Sequence, residues 1–172
     1  MIVKNLILGP LSTNVYLLIK DNDCLLVDPA TDFDVIKNEI GTLNLVGILI
    51  THYHFDHIGA LEQLKKDYNV PIYDYRSKDI PVENFNFEII HTPGHTNDSV
   101  SFYFKKEKIM FVGDFIFRKN IGRTDFETGN MRKMLNSLQR IKKYNDDIIL
   151  YPGHGKSTTL GYEKLNNAYL KG

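Results

Sequence analysis

The chain has a single cysteine, Cys24, so it can form no internal disulfide. Leu25, Leu26 and Val27 follow it in an apolar run, and it reads as a buried thiol in a reducing compartment. An excess of one charge is also missing: Lys plus Arg and Asp plus Glu number 21 each. With no net positive field to draw in a polyanion by counterion release, a nucleic-acid partner is not expected. No apolar run approaches the roughly 18 residues that a membrane helix requires. The stretch 2–8 is broken by Lys4 and Asn5 and is followed by no small-residue cleavage site, so it does not read as a signal peptide. A cytoplasmic protein with no membrane partner is expected. No Pro/Ser-rich linker or charge run divides the 172 residues, and one domain spanning 1–172 is expected. With 42% hydrophobic and 24% charged residues, the composition is that of an ordinary packed globule rather than a disordered chain.

What is present alternates between strand and helix patterns. Val3–Leu8, Val15–Lys20 and Cys24–Val27 read as three short strands separated by Gly9-Pro10 and by Asp21-Asn22-Asp23. Phe33, Ile36, Lys37 and Ile40 follow helical spacing between a capping pair, Thr31 with Asp34, and the stop at Gly41. Leu45–Ile50 is strand-like, and Ile58, Leu61, Leu64 and Tyr68 predict an amphipathic helix after it. Further strands are predicted at Phe85–Ile90, Val100–Phe104, Ile109–Val112 and Ile148–Tyr151. Helices are predicted at Met131–Tyr144, with Met134, Leu135, Leu138 and Ile141 inward, and at Gly161–Leu170.

Five of the six histidines fall at the ends of these strands: His52, His54 and His57 in Thr51-His-Tyr-His-Phe-Asp-His, His95 in Thr92-Pro-Gly-His-Thr, and His154 in Pro152-Gly-His-Gly. With Asp56 and Asp114 they offer enough nitrogen and oxygen donors for two adjacent metal ions, since imidazole suits zinc and iron and a carboxylate can bridge two cations. Side chains two apart on an extended segment point the same way, so His52 and His54 can converge on one ion while Asp56 and His57 lie past the bend. Glycines at 94, 153 and 155 leave room beside the imidazoles. Asp114 ends an apolar strand, where an ionised carboxylate needs a partner. His91 reads as an outer-shell or packed residue. Asp28 could orient a ligand histidine or cap its turn, with nothing in the sequence to choose between them.

These motifs, together with Gly122-Arg-Thr-Asp125, run in an order that resembles the metallo-β-lactamase superfamily and, within it, a small hydroxyacylglutathione hydrolase (glyoxalase II)-like branch. The resemblance implies an α/β fold, a four-layer αβ/βα sandwich of two mixed β-sheets flanked by helices. It implies two divalent ions, zinc by expectation with iron or manganese as alternatives. His52, His54 and His95 would hold one ion, Asp56, His57 and His154 the other, and Asp114 both. The implied activity is cleavage of a small-molecule thioester, such as an S-2-hydroxyacylglutathione, by a metal-bridging hydroxide that Asp56 orients. Arg123 would grip a carboxylate of the glutathione glycine, with Lys119 and Lys156 as further candidates for that role. Two departures matter: Asn97-Asp98 stand where the family often continues Pro-Gly, and only 18 residues, 155–172, follow His154, which leaves no room for a C-terminal glutathione-binding helical domain. True β-lactamases of the superfamily generally lack the bridging aspartate, so antibiotic hydrolysis is not expected. Two alternatives stay open: a mononuclear iron persulfide dioxygenase using His54, His95 and Asp114, and a metal-stabilised binding or regulatory module without turnover.

Overall fold

Strands buried on both faces show as unbroken apolar runs rather than as alternations, and the central strands of this chain are of that kind. The computed structural model describes residues 1–78, 82 and 84–171. The first sheet, in the order β1-β2-β3-β4-β5, comprises β1 (Ile2–Leu8), β2 (Thr13–Lys20), β3 (Asp23–Val27), β4 (Asn44–Leu49) and β5 (Ile72–Tyr73). Helix α1 (Phe33–Ile40) joins β3 to the parallel β4; the single turn α2 (Phe55–Ile58) and α3 (Leu61–Tyr68) join β4 to β5. The second sheet contains β6 (Glu88–His91), β7 (Val100–Phe104) and β8 (Ile109–Gly113). A two-stranded ribbon, β9 (Ile116–Phe117) with β10 (Asn120–Ile121), and α4 (Met131–Ile141) follow. The sheet is completed by β11 (Ile149–Pro152), parallel to β8, and β12 (Thr158–Thr159), before α5 (Leu160–Asn166).

Strand periodicity distributes the core into three layers. Tyr16, Leu18, Leu25, Val27 and Leu49 of the first sheet meet Phe102, Phe104, Ile109 and Phe111 of the second in the middle layer. The intervening residues Val15, Leu17, Cys24, Leu26 and Ile48 face the other way, onto Ile36 and Ile40 of α1 and Leu61 and Leu64 of α3. Met110, Val112 and Leu150 likewise pack on Met134, Leu138 and Ile141 of α4 and Leu160 of α5. The result is the expected αβ/βα sandwich. Cys24 is buried, as its surroundings in the sequence suggested. No helix among the described residues is long and apolar enough to cross a membrane.

Several elements differ from expectation for local reasons. Asp32, in the left-handed region, caps α1 in place of Thr31. The helix after the first histidine cluster is broken at Gly59-Ala60: the Ala60 N–H donates to Pro29 O at 3.0 Å, and a Cβ on Gly59 would stand 2.1 Å from Ala30 O. Phe85 pairs with Val82 in an isolated bridge, so β6 starts only at Glu88. Helix α4 ends at Ile141 and α5 at Asn166, both short of the predicted ends. Leu135 points outward at 43% exposure, and Ser137 takes the inward position, its hydroxyl donating to Pro93 O.

Phe102→Ala, which empties a fully buried site between the sheets, should cost about 3–5 kcal/mol. Leu135→Ala should cost less than about 1 kcal/mol, because its side chain is already in water. Urea unfolding with an unchanged m-value measures both; equal losses would contradict the facing assigned to α4.

Candidate metal centre

The seven donor side chains converge where the C-terminal ends of strands from both sheets meet, six of them after β4, β8 and β11 and the seventh, His95, in the loop that leaves β6. Asp28 follows β3, the first cluster follows β4, Asp114 follows β8 and His154 follows β11. The parallel pairs β3/β4 and β8/β11 place these ends side by side, and a register shift in the second pair sets Pro152 opposite Gly113. The site also joins the two sheets: the Val100 N–H of β7 donates to Thr51 O at 2.8 Å, while Thr13 of β2 bridges to His154.

Two groups of donors form. His54 Nδ1 lies 3.2 Å from His52 Nε2 and 3.0 Å from His95 Nε2. Asp56 Oδ2 lies 3.5 Å from His57 Nε2 and 3.3 Å from His154 Nε2. Asp114 faces both groups: its Oδ2 is 3.4 Å from His95 Nε2 and 3.5 Å from His154 Nε2, and its Oδ1 is 3.5 Å from His57 Nε2. Donors about 2.0–2.1 Å from a tetrahedral ion stand roughly 3.3 Å from one another, so this spacing fits metal coordination. Mutual hydrogen bonding can join His54 to His52 and His95 but does not satisfy the whole set, because His57 Nε2 and Asp114 Oδ1 are buried without a hydrogen-bond partner among the described residues. These residues could hold divalent cations.

The rings are aimed from behind. His57 Nδ1 lies 2.9 Å from Asp28 Oδ2, His95 Nδ1 donates to Arg123 O at 2.7 Å, and His154 Nδ1 donates to Leu11 O at 3.1 Å. Each contact holds the proton on Nδ1 and turns Nε2 inward. Asp28 also accepts from the backbone N–H and hydroxyl of Thr51, at 2.8 and 2.6 Å, which fixes the entry to the cluster. These contacts place Asp28 behind the His57 ring, and Asp28, His52 and His57 form a third cluster whose donor atoms lie within 4.8 Å of one another. Gly153 is required by space: a Cβ there would stand 2.3 Å from Asp114 Oδ1 and 2.6 Å from His57 Cε1. Gly113 is required by space and by its φ of +52°, with Thr51 Oγ1 2.3 Å from the position of a Cβ.

Crowding sets the protonation states. Burial, then the neighbouring His57, holds the His52 imidazole well below its ordinary value. Burial also disfavours charge on His57, but its hydrogen bond to Asp28 and the carboxylates of Asp114 and Asp56 raise it to about 9. Burial opposes ionisation of Asp114 too, yet His154 and the surrounding imidazoles hold it well below the usual carboxylate range.

The other candidates fall elsewhere. Arg123 reaches the rim of the cleft, but its guanidinium is engaged by Asp125 in a two-pronged pair at 2.6 and 2.7 Å and lies over Phe126. Lys119 and Lys156 do not line the cleft. The Lys119 N–H donates to Glu163, and Lys156 faces a separate groove. His91 is exposed at the end of β6 with its carbonyl taken by Arg140, so it neither packs nor orients a donor. The sequence reading passed over the apolar walls of the cleft, which has a volume of about 540 Å³: Leu11, Phe55, Phe117, Ile121 and Phe126. Phe55 lies inside the first quoted motif and Phe126 directly follows Gly122-Arg-Thr-Asp125, and Phe55 is 74% exposed, a signal that it serves the cleft and not the core.

Residues 8–81 and 76–154 match the family model described as the Metallo-beta-lactamase superfamily. The chain is 32% identical to the hydroxyacylglutathione hydrolase GloC of Haemophilus influenzae, over 87% of this chain and 88% of that protein. Among solved structures it is similar to the BLEG-1 B3 metallo-beta-lactamase, with TM-score 0.94 and 31% identity over 99% and 100% of the two chains. It is also similar to TTHA1623 in a di-iron-bound form, with TM-score 0.86 and 31% identity over 98% and 100%.

Asp28→Asn should weaken zinc binding about 10–100-fold with the far-UV circular dichroism unchanged, as read by competition with a chromophoric chelator. In chelator-stripped protein, the His57 pKa of about 9 against an ordinary 6.5 supplies stability that is complete below pH 6.5 and lost as the pH rises through 9. The melting temperature of stripped protein should therefore fall over that interval. With zinc added the trend should reverse, because coordination requires neutral imidazole. Calorimetry at both ends of the interval checks this, and a flat profile for stripped protein would contradict it.

Proposed function

Because the chain belongs to the metallo-β-lactamase superfamily, we propose that it is a metal-dependent hydrolase of the glyoxalase II-like type, cleaving the thioester of a small-molecule thiol carrier. The observation that carries this reading is the Asp114 carboxylate, within 3.5 Å of donors from both groups, at the floor of an apolar-walled cleft. Seven donors exceed the four that a structural zinc uses, which speaks for two ions and against a purely structural role. One relative named hydroxyacylglutathione hydrolase is matched over 88% of its length, and others of that name over 61–62% of theirs.

Two divalent cations, zinc or iron, would supply Lewis acidity here, lowering the pKa of water to about 7 on zinc and polarising a thioester carbonyl. His52, His54 and His95 would hold one and Asp56, His57 and His154 the other, with Asp114 shared. Asp56, which accepts from the Thr13 hydroxyl at 2.9 Å, is the group that would orient the attacking water. Phe126, edge-on to His54 and His95 at ring distances of 4.8 and 5.3 Å, keeps bulk water from that side. Phe55 and Leu11 give the acyl group an apolar surface.

The test couples elemental analysis of the purified protein to three assays: S-lactoylglutathione cleavage, persulfide-dependent oxygen uptake, and turnover of a β-lactam panel. Two cations per chain with thioester cleavage alone is the expected result. A single iron with oxygen uptake, or lactam turnover without thioester cleavage, overturns it. Asp114→Ala should reduce the metal content to one ion or fewer. It should lower kcat at least about 100-fold, beyond the roughly 10–100-fold cost of losing an outer partner.

A further inference from the structure

A second groove, of about 520 Å³, lies beside the metal cleft and is lined by Arg118, Lys156, Ser157, Asn14, Tyr16 and Tyr151, among others. The two share a wall. Leu11, Phe117 and His154 face the cleft, while their chain neighbours Ser12, Arg118 and Gly155 face the groove. Among the described residues no acidic side chain lines the groove, so two cations charge it in a chain whose totals cancel. Lys4, Lys37, Lys65, Arg76, Lys108, Arg123 and Lys164 are tied into ion pairs. Arg118 and Lys156 are, among the described residues, two of the cations that stand outside such pairs, and they are the two that line this groove.

Both cations sit on pinned backbone. Arg118 is in the turn between β9 and β10, where the Lys119 N–H donates to Glu163 Oε2 at 2.8 Å and Asn167 Nδ2 donates to Asn120 O at 2.9 Å. Glu163 and Asn167 are fully buried and bonded to each other at 2.9 Å. The Arg118 guanidinium lies over the Tyr162 ring, 5.2 Å from its centre, and hydrogen-bonds the Tyr162 side chain, a neutral partner that holds the guanidinium at the edge of the groove without cancelling its charge. Lys156 follows a loop held by Asn14 Nδ2, which donates to Pro152 O at 2.9 Å and Gly155 O at 2.8 Å, and by the Tyr16 hydroxyl, which donates to Pro152 O at 2.7 Å.

We infer that this groove binds the anionic tail of the thiol carrier, a carboxylate or a phosphate remote from the sulfur. The inference rests on the thioesterase reading above and names its leaving group. Hydrolysis breaks the C–S bond, gives the water oxygen to the acyl carbon and leaves a thiol that takes up the proton. A carrier whose sulfur lies on the His154 side of the cleft crosses the shared wall into the groove. There, an arginine fork and a lysine point charge meet an oxyanion with no competing carboxylate.

The test is calorimetric titration of the zinc-loaded protein with two unreactive probes, S-methylglutathione (carboxylates) and S-methyl coenzyme A (phosphates), against the Arg118→Ala/Lys156→Ala variant. At least one probe should bind, weaken tenfold or more in the double variant and weaken further with salt, and Arg118→Lys/Lys156→Arg should recover most of the affinity. Which probe binds assigns the anion. In kinetics, the ratio of kcat/KM for the matching lactoyl thioester over lactoyl-N-acetylcysteamine, which lacks the tail, should fall tenfold or more in the double variant. Probes that bind neither protein, or both alike, overturn the groove while leaving thioester cleavage standing. Tight, variant-sensitive binding without turnover of any thioester would instead overturn the hydrolase reading.

Discussion

The buried pair formed by His57 Nε2 and Asp114 Oδ1, 3.5 Å apart and without hydrogen-bond partners, is the constraint that organises the rest of this structure. Each such atom, if left unsatisfied on burial, costs on the order of 1–3 kcal/mol. A fold of ordinary stability can carry that cost at the junction of its two sheets if something positive compensates it. Without a cation, the available positive charge is the proton on His57, whose imidazole is raised, against burial, by its hydrogen bond to Asp28 and then by the carboxylates of Asp114 and Asp56, while His52 beside it is depressed by burial and then by His57. A divalent cation meets the same demand more completely, and the Nδ1 anchors at Asp28, Arg123 O and Leu11 O are already placed to present neutral Nε2 atoms to it.

That demand explains why the site and the sandwich form together. Asp28, Thr51 and Gly113 come from three strands and touch within the site, while the β1/β2 hairpin reaches across so that the Asn14 N–H donates to Gly153 O at 2.7 Å. Closing the phenylalanine-rich layer between the sheets brings the Asp114 and His154 loops against the first histidine cluster. The donor geometry is thus set by packing over the whole sandwich, not by the flexibility of its loops.

The parts of this arrangement that were legible in the sequence are those governed by local rules. Runs such as Cys24–Val27 and Ile109–Val112 announce strands buried on both faces, and three strand-end histidine motifs announce a polar site at one rim. The rest depended on contacts between distant segments. The break at Gly59 follows from its approach to Ala30, and Phe85 left its strand to pair with Val82. The contact of Asp28 with His57, 29 residues away in the chain, could be offered from the sequence only as one of two readings, because nothing local separates it from capping of the turn. The β9/β10 ribbon, two residues per strand, is too short for any periodicity to register. Its turn is held by Glu163 and Asn167, which in sequence look like ordinary helix-surface residues. The exposure of Leu135 has the reverse cause: Ser137 satisfies the Pro93 carbonyl and so takes the inward face.

The division between cleft and groove also bears on how recognition can vary while chemistry stays fixed. Every donor atom of the centre is aimed by strand ends or by a buried partner. Arg118 and Lys156, by contrast, are exposed side chains, the first four residues beyond Asp114 and the second two beyond His154. Changing them alters the charge offered to a ligand tail without moving any Nε2, since the backbone beneath them is held independently through Glu163, Asn167, Asn14 and Tyr16. Burying the Glu163 carboxylate is tolerable because it accepts bonds from Thr158, Lys119 N and Asn167. The fold therefore places a large desolvation cost where it stiffens the rim of the groove. That is where a surface must be rigid if two cations are to distinguish one anionic tail from another.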